Sequence, residues 1–139
     1  MILHTIDSSN IDLLHIFLKS DFQGCEHFNY FKSRSLSVID NHIITIIGTI
    51  NNVPVSYSHI DFENNIFWIG VCILKDYQSK GYGSIILNKL IAIAKQKQIN
   101  ILTLTVDKNN HHAIKLYEKH GFQISSILHK SLLMKYNTI

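Results

Sequence analysis

Arginine, proline and cysteine are nearly missing from this 139-residue chain. Arg34 is the sole arginine, although thirteen residues are lysine or arginine and the net charge is +3. Readers of nucleic acid lean on arginine forks for bases and phosphates, so a mild lysine excess fits a small anionic ligand better than a duplex. Cys25 and Cys72 are too few for a disulfide framework, and two thiols make no zinc site without histidine. The longest uncharged apolar run, Ile66 to Leu74, is too short to cross a bilayer, which takes about 20 residues. No basic start followed by an apolar stretch marks a signal peptide. These absences predict a cytoplasmic protein with no membrane and no nucleic-acid partner. Repeats, low-complexity tracts and linkers are absent too, so residues 1–139 are expected to form one domain.

What is present is a core former. Hydrophobic residues make up 46% and charged residues 17%, which rules out compositional disorder. Ile2 to Ile6 reads as a short strand. Ser9, three residues before Asp12, reads as a capping box for a helix carrying Ile11, Leu14, Phe17 and Leu18. A second short helix is expected over Glu26 to Lys32. Ile43 to Ile50, Asn51-Asn52 and Val53 to Ile60 read as a hairpin, since Asn tolerates the positive φ of a tight turn. Asn64-Asn65 marks another turn. The following strand, Ile66 to Leu74, is apolar on both faces and is placed at the centre of a sheet.

After Leu74 the periodicity changes. Ile86, Leu87, Leu90, Ile91 and Ala94 trace one helical face, and Ile101 to Val106 is a strand again. Strand, helix, strand is a crossover unit with parallel strands. Asn110 caps a short helix, and Gly121 is the left-handed residue that ends it, with Phe122 packing back. Gln123 to Ile127 and Leu132 to Tyr136 close the chain as strands. The prediction is an α+β fold: a mixed, mostly antiparallel sheet of about seven strands with flanking helices. A C-terminal strand at a sheet edge could pair with a second copy as a homodimer.

The chemistry concentrates in Gln78-Ser79-Lys80-Gly81-Tyr82-Gly83-Ser84. A helix N-terminus presents unpaired N–H groups and partial positive charge. Two glycines let a ligand approach the backbone, and Lys80 adds a full charge. Together they suit a phosphate or pyrophosphate. The spacing is not a Walker loop. It fails the dinucleotide pattern as well, because polar residues separate strand from glycines and Ile86 stands at the third glycine position.

Leu74 to Gly83 resembles the acetyl-CoA signature of the GCN5-related N-acetyltransferase (GNAT) family, Gln/Arg-x-x-Gly-x-Gly/Ala. Asn110-His111-His112-Ala113-Ile114-Lys115-Leu116-Tyr117, running on to Gly121-Phe122, is similar to that family's later motif, Asn-x-x-Ala-x-x-Leu-Tyr-x-x-x-Gly-Phe. Ser79 replaces a common glycine and Lys75 a common proline, and neither change removes a backbone donor. The resemblance implies acetyl-CoA as co-substrate and a central pair of parallel strands that splay apart. It implies pyrophosphate on the amides of Gln78, Ser79, Lys80, Gly81, Tyr82, Gly83 and Ser84. The pantetheine arm would run beside Cys72, Ile73 and Leu74, with the Ile73 N–H as oxyanion donor. Asn110 would bond the pantetheine, cap its helix, or do both. Tyr117 would be the general acid for the departing thiolate, whose conjugate acid has a pKa of about 8.5 against about 10 for tyrosine.

The proton acceptor is less defined. Many relatives carry a glutamate on the central strand, where this chain has Phe67 or Trp68. His59, Asp61 and Glu63 alternate onto one strand face, and His59 has the intrinsic pKa of a general base; a chain of waters would serve instead. Tyr30, Arg34 and Trp68 are the candidates for acceptor binding. They suit an amino sugar, free or nucleotide-linked, although a packed amphipathic helix explains Phe28 and Phe31 equally well. Thr105 stands where ribosomal-protein N-terminal acetyltransferases usually place a glutamate. The expected function is therefore acetyl transfer to a small-molecule amine. Acetylation of a protein amine and a non-catalytic acyl-CoA-binding module are the alternatives. Nine histidines raise the question of metal, but adjacent His111 and His112 point about 100° apart on a helix and no His-x-x-x-His occurs. No metal is expected. Cys72 reads as a small buried hydrophobe.

Overall fold

A computed structural model describes residues 1–20, 30–32 and 34–139. Seven strands form one sheet in the order β1-β2-β3-β4-β5-β7-β6. The strands are β1 (Ile2–Thr5), β2 (Ile44–Ile50), β3 (Val53–Glu63), β4 (Ile66–Ile73), β5 (Ile101–Asp107), β6 (Gln123–Ile127) and β7 (Ser131–Asn137). The helices are α1 (Asp12–Leu18), α2 (Tyr82–Gln96) and α3 (His111–Lys119), with 3₁₀ turns at Tyr30–Lys32, Leu36–Asn41 and Lys75–Tyr77. The expected α+β class holds: every neighbouring pair is antiparallel except β4 and β5. Most of the helix expected over Glu26 to Lys32 lies outside the described residues, as do Cys25 and Phe28.

Both tight hairpins are made by paired asparagines. Asn51 and Asn52 have φ of 51° and 65°, Asn64 and Asn65 of 54° and 62°. These left-handed pairs match the right-handed twist of the strands they join. The first of them sets β2 on β3 and the second sets β3 on β4, so His59 lies across from Gly70 and Asp61 across from Trp68.

The sheet buries both faces. On one, Leu87, Leu90 and Ala94 of α2 pack on Ile46, Ile60 and Ile69. On the other, Leu14 and Phe17 of α1 cover Ile47, Tyr57 and Cys72. Burying each of these large side chains contributes about 1.5–3 kcal/mol. A core on each face is why β4 reads as apolar throughout. Among the described residues, no helix is long and apolar enough to cross a membrane.

Two expectations need correction. Ser9 does not cap α1: its hydroxyl donates to the Asp7 carboxylate, 2.5 Å away, and its N–H bonds the same oxygen at 2.8 Å. A local Asx turn has captured the capping side chain, and α1 starts from Ile11 with no side-chain cap. Nor is the last strand an edge. β7 lies between β5 and β6, so the edges are β1 and the exposed β6.

Candidate active site

β4 stays in register with β3 from Ile66 to Ile73 but pairs with β5 only at Trp68 and Thr103. Beyond that point the two parallel strands diverge. The Leu74 N–H donates to Val55 O at 3.0 Å. Antiparallel alternation then turns the N–H groups of Val71 and Ile73 the other way, into the gap beside β5. Ile73 therefore presents a backbone donor where the sequence expected one. Leu74 does not, because β3 already holds its amide.

The gap widens into a cavity of about 830 Å³. At its mouth the chain turns sharply into α2. Ser79 (φ 60°) and Gly81 (φ 87°) both adopt left-handed backbone. A Cβ built on Gly81 would meet nothing within 4 Å, so open space lies before the helix. α2 has no side-chain cap, and its first bond in this turn is Ile85 N–H to Gly81 O. The amides of Tyr82, Gly83 and Ser84 thus point out of the helix without intrahelical partners. Gln78 ties the turn to the strand, its Nε2 donating to Ile73 O at 2.8 Å. Gln78, Ser79, Gly81, Gly83 and Ser84 line the cavity. Lys80 is exposed outside the lining and Tyr82 is half-buried beside it.

α3 forms the opposite wall. Asn110 caps it, accepting from Ala113 N–H at 3.2 Å, and also lines the cavity. Gly121 (φ 97°) ends it, with Phe122 N–H returning to Tyr117 O at 3.0 Å. Phe122 is buried against Tyr117, ring centroids 5.8 Å apart. Tyr117 is buried and lines the cavity. Burial pushes its phenol up to about 12, so it stays protonated at every working pH. His112, Lys115 and Lys119 lie on the same wall. The sequence reading missed all three, although their spacing of three and four residues from one another was a usable signal.

The other end of the cavity is lined by Tyr30, Arg34, His59, Asp61, Glu63 and Trp68. Arg34 is already engaged: it donates to Tyr30 O at 3.0 Å, sits 4.3 Å above the Tyr30 ring and pairs with Glu63 at 3.9 Å. The Tyr30 hydroxyl donates to Asp61 Oδ2 at 3.1 Å and contacts His42 Nε2 at 2.5 Å. Burial pushes the Tyr30 phenol well up. His59 is buried on β3, its Nδ1 2.5 Å from the Tyr57 hydroxyl. A Cβ on Gly70 would come within 2.9 Å of the His59 ring, so glycine there lets the imidazole lie flat on β4. Burial, then the neighbouring His42 and Arg34, push His59 down to about 3. The ordinary imidazole pKa assumed from sequence is thus lost, and a neutral ring of that basicity accepts protons poorly. Cys72 is buried in the α1-side core. Among the described residues, no group of three or more His, Cys, Asp or Glu could hold a metal ion.

The sequence pattern of the acetyltransferase (GNAT) family matches residues 10–122. The chain belongs to that family. GNAT proteins use acetyl-CoA as acetyl donor, and the open strand pair and uncapped α2 have the backbone donors such a ligand needs. A curated relative, the probable spermine N(1)-acetyltransferase of Bacillus subtilis subsp. natto, is 36% identical over 70 residues. That match spans 49% of this chain and 46% of the relative, about half the length of each. Among solved structures, a GNAT-family acetyltransferase from Streptococcus pneumoniae superposes with a TM-score of 0.72 at 24% identity, covering 98% of both chains. The yncA protein of Salmonella typhimurium, solved with its cofactor acetyl-CoA, has a TM-score of 0.66 at 13% identity over 99% of this chain and 94% of that one. At these identities the structures establish the shared fold.

Proposed function

We propose that this GNAT chain, acting as a single domain, transfers the acetyl group of acetyl-CoA to the primary amine of a small cation. One observation carries the reading. A single cavity joins unpaired backbone donors at the α2 start, open amides on β4 and the Tyr117 side of α3. The diphosphate sits on the amides of Gly81 to Ser84, with Lys115 and Lys119 facing its charge. The pantetheine arm lies along Val71 and Ile73, where the Ile73 N–H polarises the thioester carbonyl. Asn110 lends its remaining amide group to the arm while capping α3.

The acceptor enters from the β3 side. Asp61 and Glu63 outnumber Arg34 there, and Arg34 is tied to Glu63. Carboxylates beside the Trp68 ring suit an alkyl ammonium better than a phosphorylated sugar. The partial likeness to a spermine acetyltransferase supports the same class. Asp61 holds the ammonium, and its proton leaves to water as the neutral amine attacks the thioester carbon. The C–S bond breaks, and Tyr117 hydrogen-bonds the sulfur as its charge develops. The acylated nitrogen gives a second proton to water, and sulfur takes one from Tyr117, which solvent restores. The products are the N-acetyl amine, CoA thiol and one proton. Tyr117 is the weaker acid of the pair by roughly three units, so position rather than acidity makes it useful. His59 packs and orients Tyr57 and is not assigned the base.

A screen of spermine, glucosamine and an alanine-terminated peptide with acetyl-CoA tests this. Spermine should turn over fastest, and Asp61→Asn should raise its KM about tenfold, since loss of a charge-assisted bond costs about 1.5–3 kcal/mol. Preference for glucosamine or the peptide would overturn the acceptor assignment.

A further inference from the structure

Behind the acceptor end lies a second layer of polar side chains that does not touch the cavity. We infer that His42, held in one tautomer, is the positioning residue that fixes Tyr30 and, through it, Asp61 for the incoming ammonium. The inference rests on the acceptor reading above.

One arrangement satisfies these hydrogen bonds together. As a carboxylate, Asp61 only accepts: from Phe62 N–H at 2.8 Å on Oδ1 and from the Tyr30 hydroxyl at 3.1 Å on Oδ2. A phenol has a single proton. With that proton given to Asp61, the 2.5 Å contact between Tyr30 and His42 needs His42 Nε2–H as donor. Nδ1 must then accept, and the buried Thr45 hydroxyl stands 2.7 Å away to donate. The directed chain is Thr45 to His42 to Tyr30 to Asp61. Desolvation, the largest influence on His42, lowers its pKa and favours the neutral ring this chain requires.

The rings hold the same arrangement. Tyr30 lies between the His59 imidazole, 4.5 Å between centroids, and the Arg34 guanidinium. His42 packs against His59, ring centroids 4.7 Å apart and planes tilted by 45°. His42 is not among the cavity's lining residues, and its hydrogen bond to a lining side chain is the one to the Tyr30 oxygen. Removing that donor loosens the half-buried phenol and lets the hydroxyl turn away from Asp61.

Two measurements test this. Two-bond ¹H–¹⁵N spectra of the histidine rings at pH 7.5, assigned with His42→Gln, should show His42 protonated at Nε2. A ring protonated at Nδ1, or at both nitrogens, overturns the inference. In the second, glutamine places its amide near the Nε2 position and asparagine near Nδ1. With spermine as probe and saturating acetyl-CoA, His42→Asn should raise KM about tenfold and leave kcat within about twofold. His42→Gln should return KM to within about threefold of the parent. Equal effects of Asn and Gln, or a loss of kcat alone, overturn it. If Asp61→Asn leaves the spermine KM unchanged while His42 keeps its Nε2 proton, the acceptor reading falls and the positioning role falls with it. If spermine is not acetylated, the tautomer decides.

Discussion

The two ends of the cavity are built from different materials. The end assigned to coenzyme A is mostly main chain: helix-start amides, an open strand edge and one asparagine cap. The acceptor end is almost all side chain, with Tyr30, His42, Thr45, His59 and Asp61 bonded or stacked on one another. A backbone site needs a particular chain path more than particular side chains, which suits a ligand shared by a whole family. A side-chain site changes with single substitutions, which suits an acceptor that differs between members. The lesson is that donor and acceptor functions should be separable by mutation.

The largest separation is expected at Tyr117. Tyr117→Phe removes one hydroxyl from a wall otherwise unchanged, since the ring still packs on Phe122. Turnover should fall about a hundredfold or more, as for loss of a positioned acid, while CoA affinity by calorimetry stays within about twofold of the parent. Unchanged turnover would remove the proton donor from the account.

A smaller effect is expected from the basic wall. Lys115→Glu with Lys119→Glu should weaken CoA about tenfold at low salt, and the deficit should shrink in high salt. The spermine KM should hold. If the amine constant moves instead, the assignment of the two ends is reversed.

A further effect is on stability. The folded chain keeps His59 neutral down to about pH 3, whereas the unfolded chain protonates it below about 6.5. The unfolded state therefore binds more protons between those values, and stability falls as pH drops through that window. From pH 6.5 to 5 this amounts to about 2 kcal/mol, or roughly 6 °C in Tm for a domain of this size. His59→Gln should flatten that part of the melting profile. An equally steep profile in the variant would place the acid sensitivity elsewhere, with His42 the next group to change.

The same contrast explains what could be read from the sequence. The glycine turn, the Asn110 cap, Tyr117 and the Gly121 stop are local, so spacing along the chain carries them. Asn-Asn at two hairpins fixed the registers that set His59, Asp61 and Trp68 on one floor. The acceptor network was illegible for the opposite reason. Tyr30 and Asp61 are 31 residues apart, Tyr30 and His42 are 12 apart, and no periodicity links them. Burial of His59 depends on Tyr30, His42, Tyr57 and Gly70 closing around it, so its intrinsic pKa misled. Leu74 and Lys80 fell within a motif, but the ladder turned one amide into β3 and the turn pointed the other side chain outward.

The most direct measurement is a CoA titration of ¹⁵N-labelled protein followed amide by amide. The account predicts saturable shifts at Val71, Ile73, Tyr82, Gly83 and Ser84, with the Asp61 amide little changed. Absence of binding, or shifts that leave the α2 start untouched, would contradict it.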